Sequence, residues 1–163
     1  MSSKQQLTSH RIRIAGATDA EVITTLINDA FRPVEGFFID EDRIDIDQVR
    51  GYLGSGNFLV AESEGGVVGC VYVEKRGERS YLGLLSVDPT CQRSGLGSVL
   101  MNEAEDHCRR LGCRIMDMLV VNLREDLTVF YSKRGYVETG RSPFPENIKT
   151  KVPCHFIEMS KQL

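Results

Sequence analysis

The chain has no apolar run long enough to span a bilayer. It also has no excess of basic charge: 20 lysines and arginines face 23 aspartates and glutamates, a net charge of -3. A general nucleic-acid binder is usually basic, so that class is set aside. Residues 1–10 are polar and hold no apolar signal core, so they read as a flexible tail. Position 2 is serine, which gives no N-myristoylation signal. The cysteines, 70, 91, 108, 113 and 154, form no Cys-x-x-Cys pair. An odd number of thiols without a secretion signal reads as reduced cysteine in a cytoplasm. Cys108 and Cys113 with a histidine could be drawn as zinc ligands. Thiols inside apolar runs are ordinarily just buried, so no metal is expected. Repeats, linkers and low-complexity tracts are absent as well.

What is present suits one globular domain over residues 1–163. Its 41% hydrophobic and 26% charged residues are those of a soluble fold with a sizeable core. The organising stretch is Val87-Asp88-Pro89-Thr90-Cys91-Gln92-Arg93-Ser94-Gly95-Leu96-Gly97. An apolar run from Tyr81 to Val87 leads into it and reads as a buried strand, which Pro89 ends. A helix follows, with Leu96, Val99, Leu100, Ala104, Cys108 and Leu111 on one face. Arg109, Arg110 and Gly112 mark its end. Free amides and a positive dipole at the helix start, opened by Gly95 and Gly97, make a phosphate cradle, with Arg93 adding charge. The order is Gln-x-x-Gly-x-Gly. It is neither the P-loop, which needs Gly-Lys-Ser/Thr, nor the Rossmann Gly-x-Gly-x-x-Gly.

At Gln92, Gly95 and Gly97, with Val87 and Pro89, the chain resembles the GNAT superfamily of N-acetyltransferases. That family's acetyl-CoA pyrophosphate loop reads Gln/Arg-x-x-Gly-x-Gly/Ala. A second match lies downstream in Asn122, Phe130-Tyr131 and Gly135-Tyr136. The resemblance covers roughly residues 57–139 closely.

The remaining chain reads in order. Arg11 to Ile14 is a strand. Thr18 or Asp19 caps a helix that ends near Phe31, with Val22, Ile23, Leu26, Ile27 and Phe31 on its apolar side. Residues 32–44 form an acidic loop. A short helix starts at Asp45 and ends before Gly54-Ser55-Gly56. Phe58 to Ala61 and Val67 to Glu74 form a hairpin. Ile115 to Val121 is a buried strand, and a helix with Leu127, Phe130 and Tyr131 on one face follows. Tyr136 to Thr139 is a short strand, 140–153 a proline-containing loop, and Cys154 to Met159 the last strand. The order β-α-α-β-β-β-α-β-α-β-β is that of the resembled superfamily. The implied fold is α/β (α+β): a mixed, twisted, mostly antiparallel sheet with splayed central parallel strands and helices on both faces.

The resemblance implies acetyl-CoA as co-substrate. Leu85, Ser86 and Val87 would meet pantetheine through their backbone, and an amide there can bind a developing oxyanion. Gln92, Arg93, Ser94, Gly95, Leu96, Gly97 and Ser98 would hold the pyrophosphate. Asn122 would touch CoA in the family reading. As a bare residue it is a good N-cap, with Glu125 completing a capping box. Tyr131 matches the family's general acid, which assists departure of the CoA thiolate. A tyrosine near pKa 10 protonating a thiolate near 8.5 is uphill by about 2 kcal/mol. The hydroxyl then needs a lowered pKa, or it acts as a hydrogen-bond donor. Asp117 interrupts an apolar strand and is costly to bury alone. It reads either as a general base, as in some protein N-terminal acetyltransferases, or as a structural carboxylate bonded to backbone or arginine. His155 is a further base candidate or an ordinary strand histidine. The acidic stretch 35–48 either rims the acceptor pocket or is a solvated loop, with Arg43 an internal counter-ion.

The expected activity is transfer of an acetyl group to a primary amine by direct attack on the thioester, a small-molecule amine being favoured. The alternatives are a peptide or protein N-terminal acetyltransferase, and a non-catalytic acyl-CoA-binding module that would have lost Tyr131. Neither nucleic acid nor membrane is expected as a partner, and a homodimer stays open.

Overall fold

The computed structural model describes residues 10–163, so the expected tail at 1–9 lies outside the described residues. The strands are β1 (Arg11–Ile14), β2 (Asn57–Ser63), β3 (Gly66–Arg76), β4 (Arg79–Val87), β5 (Ile115–Val121), β6 (Val137–Pro143) and β7 (His155–Gln162). The helices are α1 (Ala20–Glu35), α2 (Ile46–Ser55), α3 (Leu96–Arg110) and α4 (Glu125–Lys133). The strands form one seven-stranded sheet in the order β1-β2-β3-β4-β5-β7-β6. Every neighbouring pair is antiparallel except β4 with β5.

The central strands read as unbroken apolar runs because both sheet faces are covered. Phe58, Val60, Cys70 and Tyr72 point to the face that carries α1 and α2. Their alternates Leu59, Ala61, Val71 and Val73 point to the opposite face, against Leu96, Leu100, Met101 and Ala104 of α3. This is the two-residue period of a strand serving two cores. Fully burying Ile23 and Ile27 of α1 contributes about 1.5–3 kcal/mol each. Helix α3 seats closely at Gly69, where a Cβ would stand 2.9 Å from Leu100. A third, smaller cluster joins Phe38, Ile39 and Val121 to Phe144, Cys154 and Phe156.

Three expectations need correction. Helix α1 does not stop near Phe31 but runs through Pro33 to Glu35. Pro33 withholds one amide from the last turn, and the ion pairs of Glu35 hold that turn in place. In α3, Val99 and Leu111 are exposed, while Met101 and Glu105 are buried. Glu105 sits in the core because Lys161 and Tyr136 both bond it. Strand β6 continues to Pro143, further than its apolar pattern suggests. As an edge strand it tolerates the proline.

Candidate active site

Strands β4 and β5 pair only at Arg79–Ile115, Ser80–Met116 and Tyr81–Asp117. Beyond that point they part. The cause is a bulge in β4: Cys70 pairs with Ser86 and Tyr72 with Gly83, so Leu84 and Leu85 together oppose Val71. A bulge bends its strand and raises the local twist. Leu84 adopts φ 56°, which costs a leucine about 1–2 kcal/mol. Its carbonyl is held by the Ser86 hydroxyl at 3.0 Å, and the Cys70 thiol lies 3.8 Å away. The wedge that opens is lined by Leu82 to Leu85, Met118 to Val121, Tyr81 and Tyr131. The facing backbone edges of both strands have no strand partner there, so a ligand's polar groups can pair with them.

The wedge widens into a mouth lined by Leu85, Ser86, Val87, Gln92 and Arg93, with Phe31, Arg124 and Phe130 opposite. Asp88 accepts from the Thr90 amide at 2.8 Å and caps a short 3₁₀ turn, Pro89–Cys91. The Gln92 side chain donates to the Val87 carbonyl at 3.3 Å, and the Ser94 hydroxyl to the Cys91 carbonyl. Arg93 and Gly95 both take positive φ, 68° and 83°, which curls the loop over the start of α3. The Val99 amide is the first to bond back into the helix, to Gly95. The amides of Leu96, Gly97 and Ser98 face out of the helix start without an intrahelical partner. A Cβ on Gly97 would meet only Phe130, at 3.9 Å. Packing therefore does not demand glycine at 97. A phosphate group approaching these amides fits the cradle in charge and in space.

Tyr131 is buried, in the wedge. Its hydroxyl makes no hydrogen bond to protein among the described residues. Burial pushes its pKa up, not down. That direction favours the protonated hydroxyl, the form able to donate a hydrogen bond. Asp117 is drawn elsewhere. The Arg79 guanidinium grips it with two bonds of 2.7 Å, and the Ser160 hydroxyl adds a third at 2.6 Å. These hold its carboxyl below the usual range. It lines a hollow with Arg76, Arg79 and Glu158 that meets the wedge at Tyr81, Met118 and Leu119. These are the partners expected of a structural carboxylate bonded to arginine. The N-cap of α4 is Arg124, not Asn122. Its Oδ1 accepts from the His155 amide at 2.9 Å, and its amide donates to the His155 carbonyl at 2.9 Å. It pins β7 to the end of β5. His155 serves this link through its backbone.

The profile of the family described as "Acetyltransferase (GNAT) domain" matches residues 54–138. The chain belongs to the GNAT acetyltransferase family. Its members use acetyl-CoA as co-substrate. The protein YxbD of Bacillus subtilis (strain 168) is 31% identical over 72 residues, 39% of this chain and 45% of that protein. The chain thus matches less than half the length of that relative. Among solved structures, a ribosomal-protein-alanine N-acetyltransferase from Brucella melitensis shares 19% identity at a TM-score of 0.75, over 94% of this chain and 99% of that one. yncA of Salmonella typhimurium, solved with its cofactor acetyl-CoA, shares 23% identity at 0.75, over 95% and 94%. These likenesses show that the GNAT fold extends over nearly the whole chain.

Two parts of this GNAT site were not legible in the sequence. Leucine carries no signal for a positive φ, so the bulge at Leu84 had no mark. Glu35 read as one acid among Asp40, Glu41 and Asp42. A signal was present: Ile23, Ile27, Phe31 and Glu35 recur every four residues, one helical face, provided the helix passes Pro33. Among the described residues no group of three or more His, Cys, Asp or Glu is arranged to hold a metal. Among the described residues no helix is long and apolar enough to cross a membrane.

Proposed function

We propose that the chain, as one domain over residues 1–163, is an acetyl-CoA-dependent N-acetyltransferase acting on a small primary amine in the cytoplasm. The observation that carries this reading is the wedge between β4 and β5, opening directly onto the glycine cradle, with a tyrosine hydroxyl inside it. The amides of Leu96, Gly97 and Ser98, with Arg93, hold the pyrophosphate. The unpaired edge of Leu85, Ser86 and Val87 orients the pantetheine arm, and Asn122, at the end of β5, contributes to CoA binding while holding β7 through His155. Acetyl-CoA supplies the activated acyl group. Tyr131 keeps its proton in the dry wedge and donates toward the departing sulfur. Desolvation that raises the tyrosine raises a buried thiol in the same way, so the uphill step between them does not widen. Cys91 has no base beside it and is not a nucleophile in this reading.

The preference for a small amine rests on how the far end is closed. The Lys151 amide donates to the Phe38 carbonyl at 2.8 Å. Its ammonium meets the Gly36 carbonyl at 3.1 Å and Asp40 at 2.8 Å. The loop before β7 is thereby strapped to the loop after α1. Phe38, Phe144 and Phe156 pack beneath the strap. An extended peptide needs that path open. The test is an amine panel, alkyl amines, amino acids and short peptides with free N-termini, read by CoA release. Turnover on peptides alone would overturn the small-amine preference. CoA binding without turnover on any amine would overturn the enzyme reading.

A further inference from the structure

The wedge ends at a side pocket between α1 and the loop that follows it, lined by Phe31, Glu35, Ile39, Asp40, Glu41 and Arg43. Phe31, Glu35 and Arg43 line both hollows. Glu35 is therefore the carboxylate at the junction between the thioester site and the acceptor pocket. Its side chain is 7% exposed. The oxygen Oε2 accepts from Arg124 Nη1 at 2.9 Å. The other oxygen, Oε1, is buried and has no hydrogen-bond partner among the described residues. Arg43 Nε stands 4.0 Å from it, too far to bond, with its guanidinium over the Phe31 ring. A buried carboxylate oxygen left unpartnered is costly, and such an atom in a cleft points to a missing donor.

Resting on the acetyltransferase reading above, we propose that Glu35 is the general base that accepts a proton from the acceptor amine at Oε1. The acceptor class follows: a primary alkyl amine that arrives as an ammonium. The charged and titratable groups around Glu35 are Arg43 from the loop after α1, Arg124 and Asp126 at the start of α4, and the Cys154 thiol before β7, with Arg32, Asp40 and Glu41 lining the side pocket. Burial outweighs both arginines and moves Glu35 above the usual carboxylate range. It is thereby a stronger base than a solvated glutamate.

The step balances as follows. The ammonium gives one proton to Glu35 and becomes a neutral amine. The nitrogen lone pair forms the C–N bond at the thioester carbon, and the C–S bond breaks. The thiolate leaves against the Tyr131 hydroxyl. The nitrogen loses its second proton, which balances the thiolate as thiol, and Glu35 returns its own to solvent.

The test is Glu35→Gln, which keeps an oxygen for Arg124 and removes the base. An alkyl amine near pKa 10.4 is neutral in roughly one molecule per thousand at pH 7. Loss of the base should lower kcat/KM by about 10²–10³ at pH 7. The deficit should then shrink about tenfold per pH unit toward pH 9, as solution supplies the free amine. A purely structural Glu35 would give a deficit that does not change with pH, and that result overturns the proposal. Unimpaired transfer by Glu35→Gln at pH 7 overturns it as well. If Glu35→Gln does not fold, shown by loss of its melting transition, Glu35→Asp replaces it. That variant keeps the charge but withdraws the carboxylate by one methylene, and the same pH-dependent deficit is expected. A wild-type protein that binds CoA but acetylates no amine removes the acetyltransferase reading, and the base with it.

Discussion

Replacing Tyr131 with phenylalanine separates a catalytic hydroxyl from a packing one by magnitude. The Tyr131 ring packs edge-on against Phe130 at 5.2 Å and Tyr136 at 5.9 Å. Phenylalanine keeps both contacts. The hydroxyl bonds to no protein group among the described residues, so folding loses no hydrogen bond. The stability change should stay within about 0.5 kcal/mol, below the 0.5–1.5 kcal/mol of a typical bond. If the hydroxyl donates to the departing sulfur, turnover should fall about 10²–10⁴-fold. That is roughly 2.7–5.5 kcal/mol on the barrier. The assay is single-turnover transfer to a working amine, beside CoA titration and thermal melts of both proteins. A pH arm sharpens it. Burial raises the Tyr131 pKa above its unfolded value, so the protonated tyrosine favours the fold. That contribution is complete below about pH 10 and is lost as pH rises through the folded value. Wild type should lose stability above pH 10 faster than Tyr131→Phe does. Full turnover in the variant would remove Tyr131 from the mechanism, whatever the melts show.

Three further outcomes bear on the cradle and the base. Gly95 holds φ 83°, so Gly95→Val strains the loop by about 1–2 kcal/mol and should abolish CoA binding in a protein that stays folded; unchanged affinity by calorimetry would end the cradle assignment. Gly97→Ala places a methyl against Phe130 in ordinary contact, so it should raise stability by about 0.5–1 kcal/mol and leave CoA affinity within threefold. A loss beyond tenfold would mean that the ligand lies closer to residue 97 than its open surroundings suggest. Asp117→Asn should cost about 0.5–1 kcal/mol at pH 7, an exposed ion pair's worth, and leave turnover within threefold. Arg79 holds the folded pKa of Asp117 down, so this stabilisation is present above the unfolded value near 3.9 and fades as pH falls through the folded one. A tenfold loss of turnover would return Asp117 to the role of base.

The order of elements was legible because most of it follows from local patterns. Short unbroken apolar runs bounded by turn residues mark β2, β3 and β4, and a capping pair, Asp45 with Gln48, marks α2. The misreadings share a cause. Pro33, Asn122 and Pro143 are residues whose local preference is to break or cap, and in each case a distant partner overrides it. Glu35 reaches Arg124, 89 residues away, and the turn holding Pro33 stays helical. Asn122 reaches His155, 33 residues away, and so is not a cap. Pro143 pairs with His155 at the end of an edge strand, a position where a proline is tolerated.

The same distinction runs through the site. The proposed cradle lies within one strand–loop–helix unit, so its geometry follows from local spacing. The wedge does not: it exists because β4 and β5, joined by the α3 crossover, pair for three residues and then part. A parallel pair that kept its register would satisfy those backbone groups and leave no room for a ligand. The bulge at Leu84 prevents this at a cost of about 1–2 kcal/mol in backbone strain. Ser86, buried beside it, satisfies the displaced carbonyl. Strain held in place by a buried hydrogen bond is a stable device, because relaxing it would leave the Ser86 hydroxyl unpartnered. The opening is therefore built into the strand pairing itself. Tyr131 and Glu35, carried there by α4 and α1, then face one cleft although 96 positions separate them in the chain.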